Sequence, residues 1–378
     1  MKRTVTFAYF VQSLLIVSLF ITGSSTHAQD ILIGQVTAYT GNLAPTGNDY
    51  RRGLEVWFEQ VNAKGGIKGR KIKLVTADDG YKSEETVKQA KAMVENNDLV
   101  AFAGFLGTGN VEALLKSKLL ENHSIPLIGA RTGGVIAHHP FLFHLRANYR
   151  DEVHKMVEHA ATIGLKNIGV FYQDDAFGKT GLEAAETFAK DFKVNIVAKA
   201  GYEKNTTKVE AAVEAMVKAE PQAIIMASNT AASAEFIKQL REKNNNAYLF
   251  VQSVTDGEQL AQKISDKFSR GVVIAQVMPN PYKRNMPLVR EFQEHVGASK
   301  IDGAKVNYTT LEGYLTGRLL TTALNRANKI SRADLIKTLE GLHKLDINGF
   351  IVDYSPINHA GSQYVELSVV SSGGRVLQ

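Results

Sequence analysis

The 378-residue sequence has no cysteine, one tryptophan and only eight prolines. Without cysteine there is no thiol nucleophile, no disulfide framework, no iron–sulfur ligation and no Cys-containing zinc site. A chain of this length buries enough surface to fold without disulfides, so their absence does not argue against export. Long apolar runs are scarce too. The longest, Phe7 to Ile21, is shorter than the ~20 residues a membrane-spanning helix needs. The common catalytic signatures are missing: no G-x-S-x-G, no G-x-x-x-x-G-K-[ST], no H-E-x-x-H and no calcium-binding EF-hand loop. The first strand runs into Gln35-Val36-Thr37-Ala38 rather than G-x-G-x-x-G, so a dinucleotide fingerprint is absent where it belongs. The histidines are scattered, and the one adjacent pair, His138-His139, lacks the further convergent groups a metal requires. Neither a metal nor a cofactor is implied.

What is present begins with a leader pattern. Lys2 and Arg3 precede the apolar run, and Thr26-His27-Ala28 offers a small-x-small cleavage site. We expect a signal peptide over residues 1–28, cleavage after Ala28 and delivery to the periplasm. Removing it takes two bases and no acids, which lowers the net charge from +6 to +4. That is too weak to point to nucleic acid. Hydrophobic residues make up 44% and charged residues 22%, an ordinary globular balance.

From residue 30 on, short β-rich runs alternate with amphipathic helical runs. Ile31–Val36, Lys71–Ala77, Leu99–Phe102 and Ile125–Ile128 read as the strands of a first series. Between them Leu54, Trp57, Phe58 and Val61 share a helical face. Ser83 can cap the next helix, and Val111–Asn122 forms a third. A second series runs from a helix at Asp151–Ile163 to a strand at Val272–Gln276. Such alternation means βαβ units and parallel sheets. The expected fold is α/β, with two doubly wound Rossmann-like lobes. Pro279, Pro281 and Pro287 break the alternation. Helices at Leu288–Val296, Tyr308–Ala327 and Arg332–Leu342 follow, then closing strands at Gly349–Asp353 and Tyr364–Val370. An economical path returns the chain to the first lobe after Pro279 and crosses once more near the end. The first lobe would then hold residues 30–147 and 280–355, and the second 148–279 and 362–378.

Several polar, glycine-containing loops stand at the carboxyl ends of strands, just before helices. These are Thr40–Asn48, Gly107-Thr108-Gly109-Asn110, Ala130-Arg131-Thr132-Gly133 and, in the second series, Gln173–Lys179. Open α/β sheets bind ligands at that edge. Glycine lets the backbone approach, and helix-start N–H groups attract an anion. The same loops could equally be no more than tight βα turns. Asp78-Asp79 ends the second strand and reads as a turn holder rather than an acid–base pair.

Residues 30–378 resemble the periplasmic solute-binding proteins of branched-chain amino acid type ABC importers, the Leu/Ile/Val-binding family with the type I periplasmic-binding fold. The resemblance is carried by Ile31-Leu32-Ile33-Gly34, Thr40-Gly41 with Gly47, Val61-Asn62-Ala63-Lys64-Gly65-Gly66-Ile67-Lys68-Gly69-Arg70, Asp78-Asp79, Ile125-Pro126-Leu127-Ile128 and Asp174-Asp175-Ala176-Phe177-Gly178. It implies two lobes joined by a three-crossover hinge that close on a small solute. It places Thr108, with Gly109 in the same loop, Ala130 and Thr132 on the ligand's carboxylate and amino end, and Phe177 over its body. Two positions depart from the family. Thr46 stands near a usual aromatic. Ser253-Val254-Thr255 replaces the acid that usually meets the ligand's ammonium, with Asp256 just beyond. Arg131 either favours a carboxylate-rich or non-amino ligand or faces solvent.

The resemblance further implies a monomeric, non-enzymatic partner of a membrane permease, trapping an amino acid or a related small carboxylate or amide. The alternative is a periplasmic ligand-sensing subunit of a membrane receptor or kinase. An α/β hydrolase or transferase is disfavoured by the missing nucleophile motifs.

Overall fold

A computed structural model of the chain describes residues 29–134 and 139–377. The expected leader and its cleavage site lie outside these residues, as does His138.

The chain runs β1 (Ile31–Thr37), α1 (Ala44–Ala63), β2 (Ile72–Asp78), α2 (Ser83–Asn96), β3 (Leu99–Ala103), α3 (Thr108–Lys116), α4 (Leu119–Asn122), β4 (Leu127–Ile128) and β5 (Leu142–Phe143). It continues α5 (Tyr149–Thr162), β6 (Asn167–Gln173), α6 (Ala176–Asp191), β7 (Asn195–Tyr202), α7 (Glu210–Ala219), β8 (Ala223–Ala227), α8 (Thr230–Glu242), β9 (Tyr248–Val251), α9 (Gly257–Ser269) and β10 (Val273–Gln276). It ends α10 (Pro287–Ala298), α11 (Tyr308–Arg326), α12 (Arg332–Glu340), β11 (Leu345–Ile347), β12 (Phe350–Val352), β13 (Glu366–Val370) and β14 (Val376–Leu377).

Two sheets result. The first is all parallel, in the order β2-β1-β3-β4-β5. β1 is apolar on both faces because it pairs with a neighbour on each side and is covered by helices. The second sheet has the order β14-β13-β10-β9-β8-β6-β7. Its β6 to β10 are parallel, while β13 and β14 add antiparallel at one edge. The fold is therefore α/β in two lobes, as the alternation predicts. The chain passes between the lobes three times: before α5, after β10, and between the β11–β12 hairpin and β13. The hairpin and α10 to α12 pack into the first core, with Ile31, Leu54, Leu315, Leu339, Phe350 and Val352 all buried there.

Local readings need three corrections. The helix expected over 111–122 is broken into α3 and α4, because Lys118 adopts a left-handed conformation (φ 55°). Ser83 is the first residue of α2 and not its cap; its hydroxyl faces Asn110 at 3.4 Å. The strand near 349–353 joins neither large sheet but forms a hairpin with β11.

In the first core α1 and α11 lie backbone to backbone. A Cβ on Gly53 would meet the Thr310 carbonyl oxygen at 2.1 Å, and one on Gly313 would meet the Tyr50 carbonyl oxygen at 2.1 Å. Both glycines are thus required by the close approach. The Tyr50 hydroxyl then donates to the Gly129 carbonyl at 2.5 Å, anchoring the loop after β4.

His144 ties two of the crossovers together. Its N–H donates to the His359 carbonyl at 2.9 Å, and its own carbonyl accepts from Gly361 N–H and the Tyr354 hydroxyl. Burial, with Arg146 and His359 adding, pushes its imidazole down to about 4. The unfolded chain binds a proton near pH 6.5 that the folded chain refuses, so stability should fall as pH drops from 6.5 toward 4. The loss is at most about 3 kcal/mol, and smaller because the residue is only half-buried. His144→Gln keeps the backbone bonds and should flatten that part of the profile. Urea unfolding at pH 7 and pH 4.5 checks it; parallel profiles for the two proteins would contradict the assignment.

Candidate functional site

The carboxyl ends of the parallel strands of both large sheets face one cleft. A cavity of about 20 Å³ there is lined by Leu43, Thr46, Tyr81, Leu106, Gly107 and Arg131 from the first lobe and by Phe177, Asn229 and Val254 from the second, with Tyr149 at the first crossover. Each comes from a loop or helix start after a strand, as the edge rule requires. In a cleft between hinged lobes the volume is set by the hinge angle.

The elements place these groups for local reasons. Gly107 precedes α3 with φ 98°, and a Cβ there would lie 2.4 Å from Tyr81 Cε2. Only glycine allows that turn and lets the Tyr81 ring sit over it. Thr108 opens α3, and its hydroxyl lies 2.8 Å from that of Thr132. Thr132 Oγ1 also accepts from Gly134 N–H at 3.0 Å, and both threonines are buried. Ala130 is buried, and its carbonyl accepts from Thr132 N–H at 2.8 Å. In the second lobe Asp175 caps α6 by accepting from Phe177 N–H and Gly178 N–H, which holds the Phe177 ring 5.0 Å from that of Tyr149.

Arg131 does not face solvent; it is 4% exposed. Its Nη1 is ion-paired with Glu312 of α11, and its Nη2 reaches the Ser253 carbonyl across the cleft at 3.4 Å. Glu312 also faces Arg146 at 3.4 Å, and Arg146 pairs with Glu152 of α5 at 3.1 Å. Glu152 in turn accepts from Ser253 N–H and Oγ–H, each at 2.8 Å. Two arginines and two glutamates thus form a buried, charge-balanced chain from one lobe to the other. Burial works against the charge of Arg146, but Glu312 and Glu152 outweigh it and hold the guanidinium protonated.

Other bonds join the cleft walls. Gln173 Nε2 donates to the Tyr81 hydroxyl at 3.2 Å, and Lys204 Nζ donates to Asn110 Oδ1 at 2.9 Å. Gln173 Oε1 accepts from Tyr202 and Asn229, so the second wall is one polar network. Asp78 and Asp79 hold the first wall. Asp78 accepts from Tyr39, Thr40 and Gly80; Asp79 accepts from Tyr81 N–H, Thr86 and Asn110.

Of the residues singled out in the sequence, Thr46, Arg131 and Phe177 line the cavity. Thr108, Ala130 and Thr132 lie in the loops that build its wall. A Cβ on Gly109 would look toward Ser83 and Lys204. Asp256 is set apart: it caps α9 by accepting from Gln259 N–H at 2.8 Å, and its own N–H is taken by Thr230 Oγ1. Burial pushes its carboxyl up. The sequence reading gives Tyr81, Tyr149, Asn229 and Glu312 no role, and names Val254 only within the run that stands where the family has its acid. A signal existed for Asn229: Ser228-Asn229-Thr230 is a polar loop after a strand, like those of the first series.

Two larger grooves, about 530 and 390 Å³, run along the crossover chains at Pro279–Met286 and Tyr364–Leu367 and beside β12. They share no lining residue with the cleft cavity. They also lack the convergence of strand-end loops from both sheets.

Comparison with known proteins agrees with this geometry. The family model described as "Periplasmic binding protein" matches residues 30–375. A substrate-binding periplasmic protein from Ralstonia solanacearum is 34% identical, superposes with a TM-score of 0.89, and covers 92% of this chain and all of its own. The Leu/Ile/Val-binding protein homolog 7 of Brucella suis is 25% identical over 348 residues, 88% of this chain and 85% of that protein. A branched-chain amino acid ABC transporter protein from Thermus thermophilus with bound valine shares the fold, at 17% identity and a TM-score of 0.82 over 93% of this chain and 95% of its own. With the family model spanning both lobes and the cleft between them, the chain belongs to the periplasmic binding protein family, whose fold binds ligands rather than catalysing reactions.

Proposed function

We propose that this chain is the periplasmic solute-binding component of an ABC importer, closing its lobes, residues 30–147 with 280–355 and 148–279 with 362–378, on one small solute and presenting it to a membrane permease. One observation carries the reading: a cleft whose walls come from the strand-end loops of both sheets, spanned by hydrogen bonds such as Gln173 to Tyr81 and Lys204 to Asn110. Bonds of this kind form only when the lobes meet, so a ligand touching both walls favours closure. The relatives named for substrate and Leu/Ile/Val binding support the same role.

Thr108 and Thr132, with the N–H groups of their loops, would hold the solute's anionic end, and Phe177 would cover its apolar part. The exported chain would act as a monomer, since one chain supplies both walls. Small-angle X-ray scattering with and without saturating solute tests the trap. A smaller radius of gyration on binding is expected; an unchanged radius at saturation would contradict it.

A further inference from the structure

Six of the ten residues around the cleft cavity present aromatic or aliphatic side chains, three of them the rings of Tyr81, Tyr149 and Phe177. Among the described lining residues Arg131 is the one cation, and none is acidic. The Arg131 Nη groups are engaged by Glu312 and Ser253, but its Nε–H is buried with no acceptor. A buried donor without an acceptor is uncommon and suits an incoming oxygen.

The carboxylates behind the walls are already committed. Glu312 serves two arginines. Asp175 caps α6 and accepts from Gln173 Nε2. Asp256 caps α9 and does not line the cavity. Val254 stands on the second-lobe wall. An ammonium closed into this cleft would lose its water and meet no free carboxylate, which is strongly unfavourable.

Resting on the binding function above, we infer that the solute is a carboxylate with an aromatic or branched apolar body and no α-ammonium group. Its carboxylate takes the Arg131 Nε–H and the threonine hydroxyls, and its body packs among the three rings and Val254.

Matched pairs test this by titration calorimetry on the full mature chain: 4-methylpentanoate against leucine, 3-phenylpropanoate against phenylalanine, and 4-methylpentanamide as the uncharged control. In at least one pair the deaminated acid should bind about 100-fold more tightly than the amino acid, and the amide should bind far more weakly than its acid. Val254→Asp places a carboxylate on the wall and should raise the amino acid's affinity about 10-fold or more while weakening the acid. An amino acid that binds wild type as tightly as its deaminated partner, or an amide that equals its acid, overturns the inference and leaves the trap intact. If none of these compounds binds while a solute that carries an α-ammonium group or lacks a carboxylate compacts the protein, the inference alone fails. If no solute compacts it, the binding function fails as well.

Discussion

Replacing Glu312 by alanine should lower the free energy of unfolding by about 3–5 kcal/mol, the largest single loss expected outside the apolar cores. The reason lies in the buried chain Arg131–Glu312–Arg146–Glu152. Glu312 is 2% exposed and, among the described residues, is the one carboxylate paired with both guanidiniums. Removing it leaves Arg146 with Glu152 and takes from Arg131 the carboxylate its guanidinium pairs with. The imbalance, and not the intrinsic worth of one ion pair, sets the size of the effect. Glu312→Gln keeps the shape and two polar atoms and should cost less. Urea denaturation followed by circular dichroism gives the number, and a loss under about 1 kcal/mol for the alanine variant would mean the arginines find water or other partners. The same chain reaches from α11 to the Ser253 carbonyl, so Glu312→Ala should also loosen the closed arrangement of the lobes.

Thr108→Val and Thr132→Val should each weaken binding of the solute by about 10- to 150-fold, the range expected for losing a hydrogen bond to a charged group. Valine keeps the branched shape and removes only the hydroxyl. The two hydroxyls lie 2.8 Å apart, so they polarise and orient each other. The double variant should therefore cost less than the sum of the singles. Melting temperatures of the unliganded variants should fall by only a few degrees, since each variant leaves the other buried hydroxyl without its partner and Thr132→Val also frees the Gly134 N–H, at a cost of about 1–3 kcal/mol. Calorimetry with the tightest-binding solute of the panel is the check. Wild-type affinity in both single variants would remove the threonines from the site.

How much of this was legible in the sequence follows from what is local. Apolar runs such as Ile31–Val36 and Ala223–Ala227 declare buried parallel strands, and polar glycine loops after them declare the ligand edge. The loops that hold Thr46, Arg131 and Phe177 could be named from that edge, and the family resemblance pointed to the residues within them; all three line the cavity. Pairing across long separations could not. Glu312 sits within an otherwise buried helix and meets Arg131 from 181 residues away. Nothing near either residue signals the other. Gly53 and Gly313, in mid-helix, were a hint that two backbones approach closely, but not which two. Tyr81 follows an Asp-Asp-Gly turn that reads as a plain reversal; only the fold shows its ring resting on Gly107 and bonded to Gln173 of the other lobe. Asp256 supports two readings. Its position beside the cleft loops suggests a ligand contact, whereas Gly257 and Gln259 after it make it a helix cap.

The most direct test of the central claim is the position of the solute in a crystal structure of its complex. Density is expected between Thr108, Arg131 and Thr132 on one side and Phe177 and Val254 on the other, with the lobes closed around it. Density instead in the grooves along Pro279–Met286 or beside β12, with the cleft between the lobes unoccupied, would contradict the account.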